Sequence, residues 1–237
     1  MKKYLISYGD DAFIIQREFF RQTAIASGFF DESKVFTRED IEPQFIKQVY
    51  GTLQMRRGGG YWIWKPYFVK RMLDSIALDD ILIYCDAGCM INTSGGKRFD
   101  EYIDMLVAAE TGTIDFELPH KEYEYTKQEV FNYFDASDEI IDSDQIMATI
   151  VVLRKCPHTI RLVELWYEAA IDNPFLFTDE LIILPQHKDF VANRYDQSVF
   201  SIIRKQQGAN IIPDETFFRD FEREGQEFPF WATRIRG

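Results

Sequence analysis

The sequence predicts an α/β fold, a central and mostly parallel sheet flanked by helices, with residues 1–237 forming one domain. Three observations carry this. A strand-like run, Lys3 to Ser7, passes through a turn at Gly9 into residues with helical apolar spacing (Phe13, Phe20, Ala24), closed by Gly28. Ile81 to Cys85 is a short run of aliphatic and aromatic residues, as expected of a strand buried on both faces. Gln145 to Leu153 is a second such run, followed by Pro157 at the start of a helical pattern reaching Ala170. Strands alternating with helices build sheets covered on both sides.

The other elements follow in order. Lys34 to Thr37 reads as a second strand, and Pro43 opens a helix to about Leu53. Pro66 opens another, ending near Ser75. Phe99 to Ala109 reads as a helix, Thr113 to Leu118 as a strand and His120 to Tyr125 as a polar, aromatic loop. Thr126 and Glu129 have the spacing of a capping box for a helix to about Phe134. Phe177 to Leu184 reads as a short strand or turn. Asp196 is placed as the N-cap of a helix over Val199 to Gln206, with Gly208 beyond its end. The Phe-rich last 30 residues read as a packed tail.

Composition narrows the function. The net charge of −12 argues against a nucleic-acid partner, because polyanion binding needs clustered cations. Met1-Lys2-Lys3 leads into a strand-like segment without the long apolar core of a secretory signal, and no run is long enough to span a membrane. Cys85, Cys89 and Cys156 are too few for a disulfide framework and read as buried thiols, which implies a cytoplasmic protein.

Three stretches carry candidate chemistry. Asp86 ends the buried strand, and open α/β sheets bind ligands at the carboxyl ends of their strands. Ala87 and Gly88 leave room for a group to approach. A carboxylate there is suited to a hard divalent cation and, through it, to phosphates; an acid after a strand also serves as a turn or cap residue. In the second stretch, Arg56 and Arg57 precede Gly58-Gly59-Gly60, then Tyr61, Trp62, Trp64, Lys65 and Pro66. A glycine run before a helix can wrap phosphates with backbone N–H groups, and arginine contacts them bidentately. The same segment also reads as a loop with Trp62 and Trp64 as core anchors. The third stretch, Asn193 to Ser198, places Asp196 and Gln197 at a helix start.

Gly60-Tyr-Trp-Ile-Trp-Lys-Pro-Tyr67, Ile81-Leu-Ile-Tyr-Cys-Asp-Ala-Gly88 and Arg194-Tyr-Asp-Gln-Ser198 together resemble a group of nucleotide-sugar glycosyltransferases from microbial surface-polysaccharide pathways and viruses. More widely, the chain resembles GT-A-fold (Rossmann-related) transferases of the glycogenin and lipopolysaccharide-galactosyltransferase type. The resemblance spans about residues 3 to 205. It implies transfer of a sugar from a UDP- or GDP-sugar donor to a glycan or other hydroxyl acceptor, assisted by Mn²⁺ or Mg²⁺. Asp86 then corresponds to the first acid of an Asp-x-Asp motif whose second acid is here Gly88, with His187 as the candidate distal metal ligand. Ser7 and Tyr8 would contact the nucleoside, and Arg56, Lys65, Asp86, Ala87 and Gly88 the diphosphate. Asp196 and Gln197 would lie at the reacting sugar, in either a retaining or an inverting reaction. Trp62, Tyr123 and Tyr125 would shape the acceptor pocket. A nucleotidyltransferase is the enzyme alternative, although Gly9-Asp10-Asp11 is acidic where a basic loop is needed. A catalytically inactive binding protein of the same fold is the other alternative, kept open by Gly88.

Overall fold

The computed structural model describes residues 1–180 and 182–233. Strand β1 (Lys3–Tyr8) leads through a 3₁₀ turn into helix α1 (Ile14–Ser27), then β2 (Glu32–Phe36). Helix α2 (Pro43–Gln48) and a separate turn at Tyr50–Leu53 replace the single helix expected there. Helix α3 (Trp64–Ser75) precedes β3 (Ile81–Cys85) and the short β4 (Met90–Ile91). Helix α4 (Gly96–Ala108), β5 (Thr113–Lys121), α5 (Gln128–Phe134), β6 (Asp144–Ile146), β7 (Ile150–Arg154) and α6 (Pro157–Asp172) follow. Helix α7 (Tyr195–Gln207), β8 (Ile211–Pro213) and β9 (Phe230–Trp231) complete the chain.

The main sheet has seven strands in the order β2-β1-β3-β7-β5-β6, with β8 also paired to β5. Strands β1, β2, β3, β5 and β8 run one way, and β6 and β7 the other. This is the mostly parallel α/β sheet expected. Side chains of a strand alternate between faces, so β3 feeds two cores. Leu82 and Tyr84 pack with Trp64, Phe68, Trp166 and Phe200 beneath α3, α6 and α7. Ile81, Ile83 and Cys85 pack with Phe20, Tyr102, Phe116 and Phe230 beneath α1 and α4. Helix α1 buries Gln16, Phe20 and Ala24 at four-residue spacing and ends on Gly28 at φ 68°. The tail is packed as far as it is described, β9 pairing with β4; residues 234–237 lie outside the described residues.

Three local expectations need correction. Gln145–Leu153 is not one strand but β6 and β7, because the two segments have different neighbours: β6 pairs with β5, whereas β7 lies between β3 and β5. His120–Tyr125 is the end of β5 and one helical turn rather than a loop. Thr126 and Glu129 do not form a capping box. Thr126 Oγ1 donates to Glu122 (2.7 Å), and the Glu129 carboxylate accepts from the backbone N–H groups of Ile183 and Leu184 (2.6 and 2.8 Å), donors that have no strand partner. Of Phe177–Leu184, the first residue closes a 3₁₀ turn (Pro174–Phe177), and Leu181 lies outside the described residues.

Candidate functional site

Asp86 follows β3 at its carboxyl end. Because β7 runs antiparallel to β3, its start meets the same sheet end, with Asp86 N–H donating to Thr149 O at 2.9 Å. The break between β6 and β7 thus delivers Met147 to Thr149 to the strand end. From one side, α3 sends Lys65 in from its first turn; from the other, α7 sends in Asp196.

These groups meet around one ammonium. Lys65 Nζ lies 2.6 Å from Asp196 Oδ2, 3.2 Å from Asp86 Oδ1 and 3.0 Å from Ala148 O. It also sits 4.9 Å from the Tyr84 ring centroid. Tyr84 Oη donates to Asp86 Oδ1 at 2.6 Å. Two residues apart on one strand, Tyr84 and Asp86 share a face. Lys65 is 2% exposed and Asp196 4%, while Asp86 keeps about a third of its side chain open (29%). A buried charge is tolerated only when paired, and here one cation serves two carboxylates, leaving a net negative site.

The electrostatics follow. Burial, and then the neighbouring Asp86 charge, raise Asp196 to about 6 against the pull of Lys65. Burial alone would lower Lys65, but Asp196 and Asp86 more than offset it, and the ammonium is held above its ordinary range. Burial and Asp86 push Tyr84 well up, so it remains a hydroxyl donor.

Asp196 was expected to cap a helix. It lies inside the first turn of α7 instead, Arg194 occupies the cap position, and no side-chain cap bond forms. Its carboxylate goes to Lys65, and the partial positive charge of the helix N-terminus favours it there. Gln197 is tied to the same strand break: its Oε1 accepts from Ala148 N–H (3.2 Å) and its Nε2 donates to Gln145 Oε1 (2.6 Å).

Two of the three glycine amides are used inside the turn. Gly59 and Gly60 N–H groups donate to Arg56 O and Arg57 O within the turn. Gly58 to Gly60, Tyr61 and Trp62 all have positive φ. At Gly60 (φ 105°) a Cβ would stand 2.8 Å from Leu53 Cα, so this glycine serves close packing. Arg56 is exposed and has no charged partner among the described residues, whereas Arg57 pairs with Asp179 at 2.7 Å. Asp179 also accepts from Tyr61 Oη and lies 3.5 Å from Tyr195 Oη.

The remaining candidates are placed as follows. Ser7 is fully buried, and its Oγ has no hydrogen-bond partner among the described residues. Tyr8 is buried with its ring stacked on Trp64 at 3.8 Å. A concavity of about 260 Å³ lies beyond the end of β1, lined by Asp10, Asp11, Ala12, Arg38 and Glu39. Ala87 is buried, and Gly88 O accepts from Thr233 Oγ1. Trp62 is half-buried and stacks on Tyr195 at 5.1 Å. Tyr125 carries the Arg194 guanidinium over its ring at 3.7 Å, and its carbonyl accepts from Ser198 Oγ, which places it against the start of α7. Tyr123 packs on the exposed His187 at 4.2 Å.

A divalent cation at Asp86 fits this arrangement poorly. Asp86 Oδ1 already receives Tyr84 and Lys65. His187 Nδ1 accepts from Asp189 N–H. Among the described residues, no group of three or more His, Cys, Asp or Glu side chains converges as a metal would need.

The sequence reading missed Tyr84, Ala148, Gln145 and Asp179. For Tyr84 a signal existed, its two-residue spacing from Asp86. For Ala148 none did, because a backbone carbonyl has no sequence signature.

Neither a protein-family model nor a curated protein sequence matches the chain. Its structure is similar to that of a glycosyltransferase involved in glycosylation of the major capsid of PBCV-1, at 8% identity and TM-score 0.58, covering 98% of this chain and 93% of that one. Weaker likenesses are to mouse xyloside xylosyltransferase 1 (11% identity, 97% of each chain, TM-score 0.48) and to galactosyltransferase LgtC bound to donor and acceptor sugar analogs (10% identity, 95% of this chain and 83% of that one, TM-score 0.46). With its mostly parallel sheet and its acid at the end of β3, the chain thus has the GT-A glycosyltransferase fold.

Proposed function

We propose that the protein is a glycosyltransferase that moves a sugar from a UDP- or GDP-sugar to a hydroxyl of a glycan acceptor. The observation that carries this reading is the Lys65 ammonium held between Asp86 and Asp196 at the carboxyl end of the central strand. The fold supports it, since ligands of open α/β sheets sit at that end, though fold alone never fixes an activity.

In this reading Asp86 borders the donor diphosphate, and Arg56, exposed and without a charged partner among the described residues, supplies a cation to the leaving group. Asp196, raised to about 6, is suited to accept the proton of the attacking hydroxyl, because a base works best when its pKa lies near the working pH. Gln197 fixes the strand break that carries Ala148. Trp62 and Tyr125 offer ring faces and edges for a sugar. The concavity beside Asp10 and Asp11 suits nucleoside hydroxyls better than phosphates, because its lining is mainly acidic. Three free, buried cysteines fit a reducing, cytoplasmic setting.

A catalytically silent nucleotide-sugar binder is the second reading. It is favoured by the surroundings of Lys65, whose buried ammonium already faces three oxygens of the protein. A calorimetric screen of UDP-, GDP-, dTDP- and CMP-sugars, paired with a donor-hydrolysis assay, separates the readings. The transferase reading expects one nucleotide class to bind and slow release of free sugar to be lost in Asp196→Asn. Binding with no hydrolysis and no transfer to any acceptor supports the silent binder, and no binding by any donor overturns both.

A further inference from the structure

Three oxygens of different origin converge on a single buried point: Asp86 Oδ1 from a strand end, Asp196 Oδ2 from a helix start and Ala148 O from the break between two strands. Convergent carboxylate and carbonyl oxygens are the ligand type of a hard divalent cation. Here the point is filled by a side chain of the protein itself. Lys65 is 2% exposed, and its ammonium donates to Ala148 O while pairing by charge with the two carboxylates. Its neighbour Trp64 is locked by stacking on Tyr8 and by an indole bond to Gly58 O (3.1 Å), so the first turn of α3 cannot readily withdraw it.

We propose that Lys65 is a resident cation standing where a divalent metal would otherwise be needed, so that this protein binds its nucleoside diphosphate without metal. The inference builds on the nucleotide-sugar reading above and extends it to the ionic requirement of the site. Without Lys65, Asp86 and Asp196 would meet an incoming diphosphate as two adjacent negative charges. With it, one of those charges is cancelled inside the protein. The absence of a second acid at Gly88 then follows, because the site has no metal to share between two side chains.

The test has two arms. In the first, UDP and GDP are titrated calorimetrically into the wild-type protein in EDTA and in millimolar Mn²⁺. The expected affinities agree within about twofold, and affinity about tenfold or more higher with Mn²⁺ overturns the proposal. In the second arm, Mn²⁺ alone is titrated into wild-type protein and Lys65→Ala, with unbound Mn²⁺ read by electron paramagnetic resonance. The expected result is no stoichiometric uptake by wild type and one Mn²⁺ taken up by Lys65→Ala, since the vacated space keeps its three oxygens. Stoichiometric uptake by wild type that Asp86→Asn abolishes overturns the proposal, as does a folded Lys65→Ala that takes up none. If Lys65→Ala does not fold, the wild-type titrations decide. If neither nucleotide binds in either buffer, the nucleotide-sugar reading fails while the Mn²⁺ arm still decides the role of Lys65.

Discussion

Asp196 shows how one side chain's environment sets its chemistry. The carboxyl loses water on burial and faces Asp86, and these outweigh its contact with Lys65, so it titrates at about 6. Its folded-state pKa lies above its unfolded one, so folding favours the protonated form. Its contribution to stability is therefore full at low pH and is lost as pH rises from about 4 to about 6. As a base it has the opposite preference, because only the ionised form accepts a proton. Turnover should rise tenfold per pH unit below about 6 and level off above it. Asp196→Asn should remove that limb and lower turnover on the order of 10²-fold or more, with little change in donor affinity. A rate that stays pH-independent between 5 and 7 in wild type would remove Asp196 from proton transfer.

Among the elements, the segment between α6 and α7 depends on Lys127, the residue just before α5. Lys127 is buried, and its ammonium donates to Phe175 O (2.6 Å), Thr178 O (2.9 Å) and Glu180 O (3.2 Å). Asn193 closes the same region by donating to Leu176 O and Thr178 O while its Oδ1 accepts from Lys127 N–H. Together they set the approach to α7, and with it the position of Asp179 beside Tyr61 and Tyr195. Lys127→Met keeps the apolar stem but removes the charged donor that three carbonyls share, leaving them only the neutral donors of Thr178 and Asn193. It should cost about 2–3 kcal/mol in urea unfolding, with faster amide exchange in residues 175–180. A loss below about 0.5 kcal/mol would show that water replaces the ammonium without penalty. The capping-box pattern at Thr126 and Glu129 was legible but misleading, because both side chains found tertiary partners that a local reading cannot weigh.

For the molecule as a whole, the net charge of −12 opposes the anionic donor proposed here. A nucleoside diphosphate approaches through a repulsive field that salt screens, with a Debye length of about 10 Å at 0.1 M. Its association rate should therefore increase, roughly two- to threefold, between about 0.02 and 0.2 M salt. Stopped-flow measurement with a fluorescent UDP analogue checks this. A rate that falls with salt would mean that a local cationic patch, with the exposed Arg56 at its centre, governs encounter instead.

The sequence by itself determined the α/β class, the β3 strand with its terminal acid, α1 and its glycine stop, and the three segments that supply Asp86, Lys65 and Asp196. These are local quantities: apolar periodicity, β-branched runs, and glycine and proline at element ends. Only the tertiary structure decided that Lys65 fills the space between the two acids, that the last apolar run breaks at Met147 to Thr149, and that Asp196 is an ion-pair partner rather than a cap. Those outcomes depend on which strands become neighbours. The antiparallel insertion of β7 beside β3 brings residues 65, 86, 148 and 196 to one point, and the cost of burying charge then dictates how they pair.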